Sequence, residues 1–289
     1  MIIFIIFIII LSILILQIIY LKLLTYKTLN KLFINLINPV NYIHYDDFKK
    51  NYPVKETNVP IYVFYHLCPG ANTVSLNIID EQVNDLIESG LYDECKAIFY
   101  GCNCKNCDSY LEKYFEKYPK FKKLNGAICP NEKTYENMTL NFMLKFSKEN
   151  PKFYGLYLHT KGTSSLSKAQ HDWRKFMMYF LIKNYKICID ILSRNFYTCG
   201  LNYIGPMKKH YSGNFFWFDS TYIKQLDYIK NIKNRMSAEM WLFSKYIKNK
   251  HISLYNERYI NNGDQIKTGL YHFSIDYNKN IEDLELAIV

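Results

Sequence analysis

Three stretches of this chain bring together residue types able to do chemistry. The first, Tyr157-Leu158-His159-Thr160-Lys161-Gly162-Thr163-Ser164-Ser165, is an apolar run ending in a hydroxyl-rich turn, with His171-Asp172-Trp173-Arg174 following at the head of a helix. Lys161 and Arg174 converging with turn amides suit a diphosphate, because cations and N–H groups both favour phosphate oxygens. Spacing alone serves equally well an ordinary capped turn with solvated cations. The second, His210-Tyr211-Ser212-Gly213-Asn214-Phe215-Phe216-Trp217-Phe218-Asp219, joins a Gly-Asn pair to consecutive aromatics. The pair permits positive φ and close backbone approach to a ligand, and most of the rings are expected in the core rather than against a sugar. The third, Arg235-Met236-Ser237-Ala238-Glu239-Met240-Trp241, sets one carboxylate among apolar neighbours on a helix. Such a Glu often completes an ion pair; lining a cleft and desolvated, it would bind a proton more tightly and suit general-base work.

The elements that must position these groups follow from periodicity. Pro60 to Leu67 is a β-rich apolar run closed by Cys68-Pro69-Gly70, Ala97 to Gly101 is a second such run, and Tyr154 to Leu158 is a third. All three read as buried strands. Ile78 to Ser89, stopped by Gly90, and Tyr135 to Asn150, stopped by Pro151, carry helical patterning, and a further helix is expected over Ser220 to Ile229. Strands alternating with helices predict an α/β fold, a mostly parallel sheet covered on both faces. Ligands of such sheets bind beyond the carboxyl ends of the strands, where His66 and the His159 to Gly162 turn lie.

Taken together, the order Tyr-Leu-His-Thr-Lys-Gly, Asp-Trp-Arg, His-x-x-Gly-Asn-Phe-x-Trp and Glu-x-Trp over roughly residues 60 to 260 resembles a group of glycosyltransferase-like proteins of algae and large DNA viruses. More distantly the chain is similar to rhamnan-synthesis F type proteins. The layout also looks like the GT-A glycosyltransferase fold, a Rossmann-type sheet. In that fold an Asp-x-Asp strand end holds a metal and the sugar diphosphate, and a later helix offers an acidic residue to the acceptor. The resemblance implies a nucleotide-diphosphate sugar donor, a hydroxyl acceptor on a glycan, protein or lipid, and Glu239 as catalytic base, with inversion slightly favoured. It implies substrate binding by His66, His159, Lys161, Gly162, Asp172, Arg174, His210, Gly213 and Asn214. No Asp-x-Asp occurs in the chain, and His159-Thr160-Lys161 stands where it is expected, so a need for manganese or magnesium is doubtful. The alternative is a catalytically inactive, membrane-tethered protein of the same fold that binds a nucleotide sugar or a glycan.

The 289 residues begin with a charge-free run from Ile2 to about Tyr20, long enough for one membrane helix and lacking the marks of a cleaved signal peptide. The expected organisation is an anchor over residues 1–21, a juxtamembrane stalk over 22–54 and one α/β domain over 55–289. Lys22, Lys27 and Lys31 follow the anchor and place the body in the cytosol, with a lumenal Golgi or endoplasmic-reticulum body as the alternative. A cytosolic body would leave the sequon Asn137-Met138-Thr139 unglycosylated. The net charge of +10 is dispersed along the chain and meets no nucleic-acid motif, so no nucleic-acid partner is expected. Of the eight cysteines, Cys102, Cys104 and Cys107 cluster closely enough to wrap a zinc ion, but match no standard finger or ribbon.

Overall fold

The structure, a computed structural model, describes residues 15–22, 41–68, 73–102, 108–124, 136–163, 167–205, 209–255 and 284–289. The chain divides into two units, Met1–Val40 and Asn41–Val289. Within the first, residues 15–22 are helical, and Ile15, Leu16, Ile18, Ile19, Tyr20 and Leu21 are exposed. Among the described residues no helix is long and apolar enough to cross a membrane. The expected anchor falls mostly on residues 1–14 and the amphipathic part of the expected stalk on residues 23–40, outside the described residues.

The second unit opens with β1 (Asn41–His44), α1 (Tyr45–Asn51), β2 (Ile61–Leu67), α2 (Thr73–Glu88), α3 (Leu91–Glu94) and β3 (Ala97–Cys102). It continues with α4 (Asp108–Phe115), β4 (Phe121–Lys123), α5 (Asn137–Glu149), β5 (Tyr154–His159) and α6 (Lys168–Met178), which runs into a π-helical turn over Tyr179–Lys183. Then come α7 (Tyr185–Ser193), β6 (Thr198–Gly200), β7 (Tyr203–Ile204), β8 (His210–Tyr211) and β9 (Phe216–Asp219). The last are α8 (Ser220–Ile223), α9 (Arg235–Trp241), β10 (His251–Ser253) and β11 (Glu285–Ile288).

Nine strands form one sheet in the order β1-β11-β10-β6-β9-β5-β2-β3-β4, and β7 pairs with β8 as a separate ribbon. The pairings β5–β2, β2–β3, β3–β4 and β10–β6 are parallel, whereas β9 runs against both its neighbours, as does β11. All other strands therefore point one way, and the sheet is mixed but mostly parallel.

Alternation along the strands sends successive side chains to opposite faces. Ile61, Val63, Tyr65 and Leu67 of β2 join Leu156 and Leu158 of β5 in one apolar layer with Ile79, Val83 and Leu86 of α2 and Phe176 of α6. Phe64 and Tyr157 turn to the other face and meet Leu140, Met143 and Leu144 of α5, with Tyr222 and Trp241. Both faces are covered, which is why these strands are continuously apolar. His66 and His159 share parity with Phe64 and Tyr157, so they face α5.

Two boundaries differ from the sequence expectation. The body begins at Asn41, not near residue 55: β1 pairs with β11, and Phe48 of α1 is fully buried against Tyr52 and Phe196. Short elements at a sheet edge give little periodic signal before their partner strand is known. The helix expected over Ser220 to Ile229 stops at Ile223. Asn141 of α5 accepts from Ile229 N–H at 2.8 Å and donates to its carbonyl at 3.1 Å, so a side chain takes the backbone groups that another helical turn would have used.

Gly155 lies on β5 opposite Phe218 of β9. A Cβ at that position would fall inside the contact distance of the Phe218 ring. The ring covers the strand only because no side chain is present. Gly155→Ala is expected to destabilise the body by about 1–3 kcal/mol, the usual effect of overpacking a filled core, read as a lower urea midpoint at unchanged slope.

Candidate functional site

Parallel pairing sets His66 of β2 directly beside His159 of β5 at the carboxyl ends of the two strands. From there the chain is tied down bond by bond. Thr160 N–H donates to the His66 carbonyl at 3.1 Å, and Cys68 N–H donates to Thr160 Oγ1 at 2.8 Å, which ties the turn after β5 to the end of β2. Gln82 of α2 donates to the His159 carbonyl at 3.0 Å and accepts from the Tyr65 hydroxyl at 2.6 Å. Gly162 has a φ of 96°, the left-handed conformation that lets the turn reverse towards α6.

Arg174 does not reach out to a ligand. Its side chain is 5% exposed, forms a two-point pair with Glu81 at 3.2 and 2.9 Å, and donates to the Lys161 carbonyl at 2.9 Å. It supports the turn from below. Asp172 is likewise engaged, paired with Lys168 at 2.7 Å and close to His171. Burial pushes the Asp172 carboxyl up, but Lys168 and His171 outweigh it and leave the group below the usual carboxylate range. Lys161 is different. Its ammonium sits 4.3 Å from the centre of the buried Trp173 ring, a cation–π contact that helps to place the charge.

The register of β9 brings the second stretch to the same edge. Phe216 pairs with Tyr157, so Gly213 and Asn214 overhang the end of β5. Both have positive φ, 90° and 56°. A Cβ at Gly213 would also press on the flexible end of Met177 and crowd Trp173, but the positive φ is the stronger reason for glycine there. The Gly213 carbonyl accepts from His159 Nε2 at 2.9 Å. A carbonyl can only accept, so the proton is on Nε2. Phe215, Phe216, Trp217 and Phe218 are all buried, as expected of core rings.

The centre of this group is a residue the sequence did not single out. Glu136 precedes α5 and so lies over the strand ends. Its Oε2 accepts from the Tyr157 hydroxyl at 2.9 Å and from Asn214 Nδ2 at 2.5 Å, and its Oε1 lies 3.8 Å from His159 Nε2. Burial pushes this carboxyl up, but His159, His66, Asn214 and Tyr157 together outweigh it and hold it below the usual range, so it is ionised. Burial depresses His66 to about 4 despite Glu136, and depresses His159 as well, helped by Lys161 and opposed by Glu136, the Gly213 carbonyl and Glu239. Both rings are neutral at pH 7. His66 completes its side of the cluster with a 2.9 Å bond between Nδ1 and the buried Thr139 hydroxyl.

Glu239 is partly buried on α9, near enough for its charge to act on His159. Of its apolar neighbours, Trp241 is buried and Met236 is exposed. His210 stands on the β7–β8 ribbon opposite Ile204, so the ribbon rather than the main sheet positions it. Asn137 is fully buried, with Nδ2 donating to the carbonyls of Ile232 at 2.7 Å and Asn234 at 3.2 Å. The folded chain thus leaves no room for a glycan on Asn137. Among the described residues Cys68, Cys95, Cys188 and Cys199 are in no disulfide, while Cys104 and Cys107 lie outside the described residues. Among the described residues no group of three His, Cys, Asp or Glu could hold a metal ion.

The fold and the site together define an α/β protein with a polar cluster at the carboxyl ends of adjacent parallel strands, the place where open sheets of this kind receive ligands. Residues 64–276 match a family described as a domain of unknown function (DUF8361), and the chain belongs to that family. No curated protein matches. Among solved structures it is similar to 4-diphosphocytidyl-2C-methyl-D-erythritolsynthase from Anaerococcus prevotii, with 10% identity and a TM-score of 0.38, covering 78% of this chain and 96% of that one.

The depressed histidines carry a pH signature. His66 at about 4 and the buried His251 at about 3 are neutral in the fold, while an unfolded histidine takes its proton near 6.5. Below that value the unfolded chain binds more protons than the folded one. The stability these rings contribute is therefore full above about pH 6.5 and is lost as the pH falls towards 4. Thermal midpoints are expected to drop between pH 7 and 5, and His251→Asn should flatten the slope.

Proposed function

We propose that the protein transfers a glycosyl group from a nucleotide-diphosphate sugar to a hydroxyl acceptor. The observation that supports this reading best is the convergence of His66, His159 and ionised Glu136 at the carboxyl ends of β2 and β5, with Lys161 in the adjoining turn and Glu239 within electrostatic reach. In this account Lys161 neutralises the leaving diphosphate, and Glu239 removes the proton from the acceptor hydroxyl. The acceptor oxygen forms a bond to the anomeric carbon as the bond to the diphosphate breaks. The nucleoside diphosphate departs with the electron pair, and the product is inverted at that carbon. Arg174 acts through the backbone of Lys161 and not on the phosphates.

A hard divalent cation prefers a cage of carboxylate and water oxygens. The turn that would have to supply that cage offers His159, Thr160 and Lys161, which do not fit one. We also keep Ile2 to about Tyr20 as a membrane anchor; release of the full chain by alkaline carbonate would overturn that assignment.

Thermal stabilisation against a panel of nucleotide sugars tests the reading, since a ligand bound only by the folded state raises its melting point. Stabilisation by none of them would remove it. Lys161→Ala should weaken donor binding by about 1.5–3 kcal/mol, the usual worth of a hydrogen bond to a charged group, and unchanged affinity in a folded variant would take Lys161 out of the site. Glu239→Gln should slow turnover roughly 10²–10⁴-fold with donor affinity near wild type. Normal turnover would exclude Glu239 as base, and Asp219 would not replace it. That residue pairs with Tyr154 at the opposite end of β5, caps α8 and binds Lys152 at 2.9 Å.

A further inference from the structure

The two oxygens of Glu136 have unequal surroundings. Oε2 accepts two hydrogen bonds, from Tyr157 and Asn214. Among the described residues none reaches Oε1, which lies 3.8 Å from His159 Nε2, and that ring's proton is directed to the Gly213 carbonyl. That oxygen is a charged acceptor with room for a donor, and it is not among the fully buried atoms that lack a partner. The side chain is 20% exposed, so this oxygen is the part of the cluster a ligand can still reach.

The charge of the oxygen decides what that ligand group is. A phosphate brought against Glu136 would meet like charge, whereas an O–H or N–H would complete the empty acceptor. The facing groups sharpen the contrast: His66 and His159 are neutral, Tyr157 and Asn214 already donate to the other oxygen, Glu239 adds a second negative charge, and Lys161 supplies the positive one. Among the described residues the site is thus polar from end to end, with a cation at the Lys161 turn.

We propose that Glu136 Oε1 receives the hydroxyl and N–H donors of a nucleoside, and that the phosphates of the same ligand extend towards Lys161. This assignment rests on the nucleotide-sugar reading and adds the direction in which the donor lies. It makes Glu136 a specificity-determining contact for the uncharged end of the ligand.

Calorimetric titration of the full chain with pyrophosphate, UDP and GDP separates the two ends. In Glu136→Gln the amide oxygen keeps the bonds from Tyr157 and Asn214, so the NH2 turns to the ligand as a donor facing donors. Binding of whichever nucleotide the wild type takes should weaken about 10–100-fold, the range of a lost bond to a charged group, while pyrophosphate stays within about twofold. Equal losses for both probes, or no loss for either, overturn the role of Glu136 and leave the nucleotide-sugar reading standing. A wild type that binds neither nucleotide removes that reading and this proposal with it. A measurement without any change at Glu136 guards against misfolding: because the Lys161 charge already acts on His159, its ring nitrogen resonances should move with every probe, but further with UDP or GDP than with pyrophosphate. The reverse pattern overturns the proposal.

Discussion

The Glu136 carboxylate is the point on which the rest of the site depends. It joins the start of α5, the body of β5 and the turn before β9, three segments separated by 21 and 78 residues along the chain. Removing an ionised group from water is unfavourable unless hydrogen bonds and nearby dipoles compensate. Here Tyr157 and Asn214 supply the bonds and two neutral imidazoles line the approach. Withdrawing any one donor would leave a buried charge short of partners, so the constraint is mutual. The carboxylate orders the Gly213–Asn214 turn, and that turn keeps the carboxylate ionised.

The sheet makes this arrangement available. In a strand–helix–strand unit the crossover helix begins over the carboxyl ends of the strands and runs back across their faces. The residue that opens α5 is therefore delivered beside the last residues of β2 and β5. Parallel register then puts His66 and His159 side by side, and period-two alternation turns both towards α5. The reversed strand β9 brings the loop before it to the same edge. Local sequence, sheet direction and register thus all send polar groups to one place.

Much of this was legible in the sequence, and the reasons for what was not are physical. The long central strands are buried on both faces, which writes an unbroken apolar run, so β2, β3 and β5 were readable and so were the turns that end them. β6 and β10 have three residues each, and β1 and β11 four; their burial comes from neighbours far away in sequence. Arg174 at the head of a helix looks like a phosphate ligand until Glu81, 93 residues away, appears at its guanidinium. Glu136 gave no motif at all. One carboxylate before a helix reads as an ordinary helix start, and only the fold brings Tyr157, His159 and Asn214 around it. A useful signal lay in its position: the residue opening a crossover helix lands at the ligand-binding edge of the sheet.

The proposed arrangement sets a nucleotide sugar at this edge, with its diphosphate at Lys161 and its nucleoside at Glu136. A crystal structure of the full chain with a non-hydrolysable donor would test it most directly. The account predicts phosphate density within hydrogen-bonding distance of Lys161 Nζ and nucleoside hydroxyl or N–H groups within about 3 Å of Glu136 Oε1. Donor density away from the ends of β2 and β5, or phosphates lying against Glu136, would contradict it.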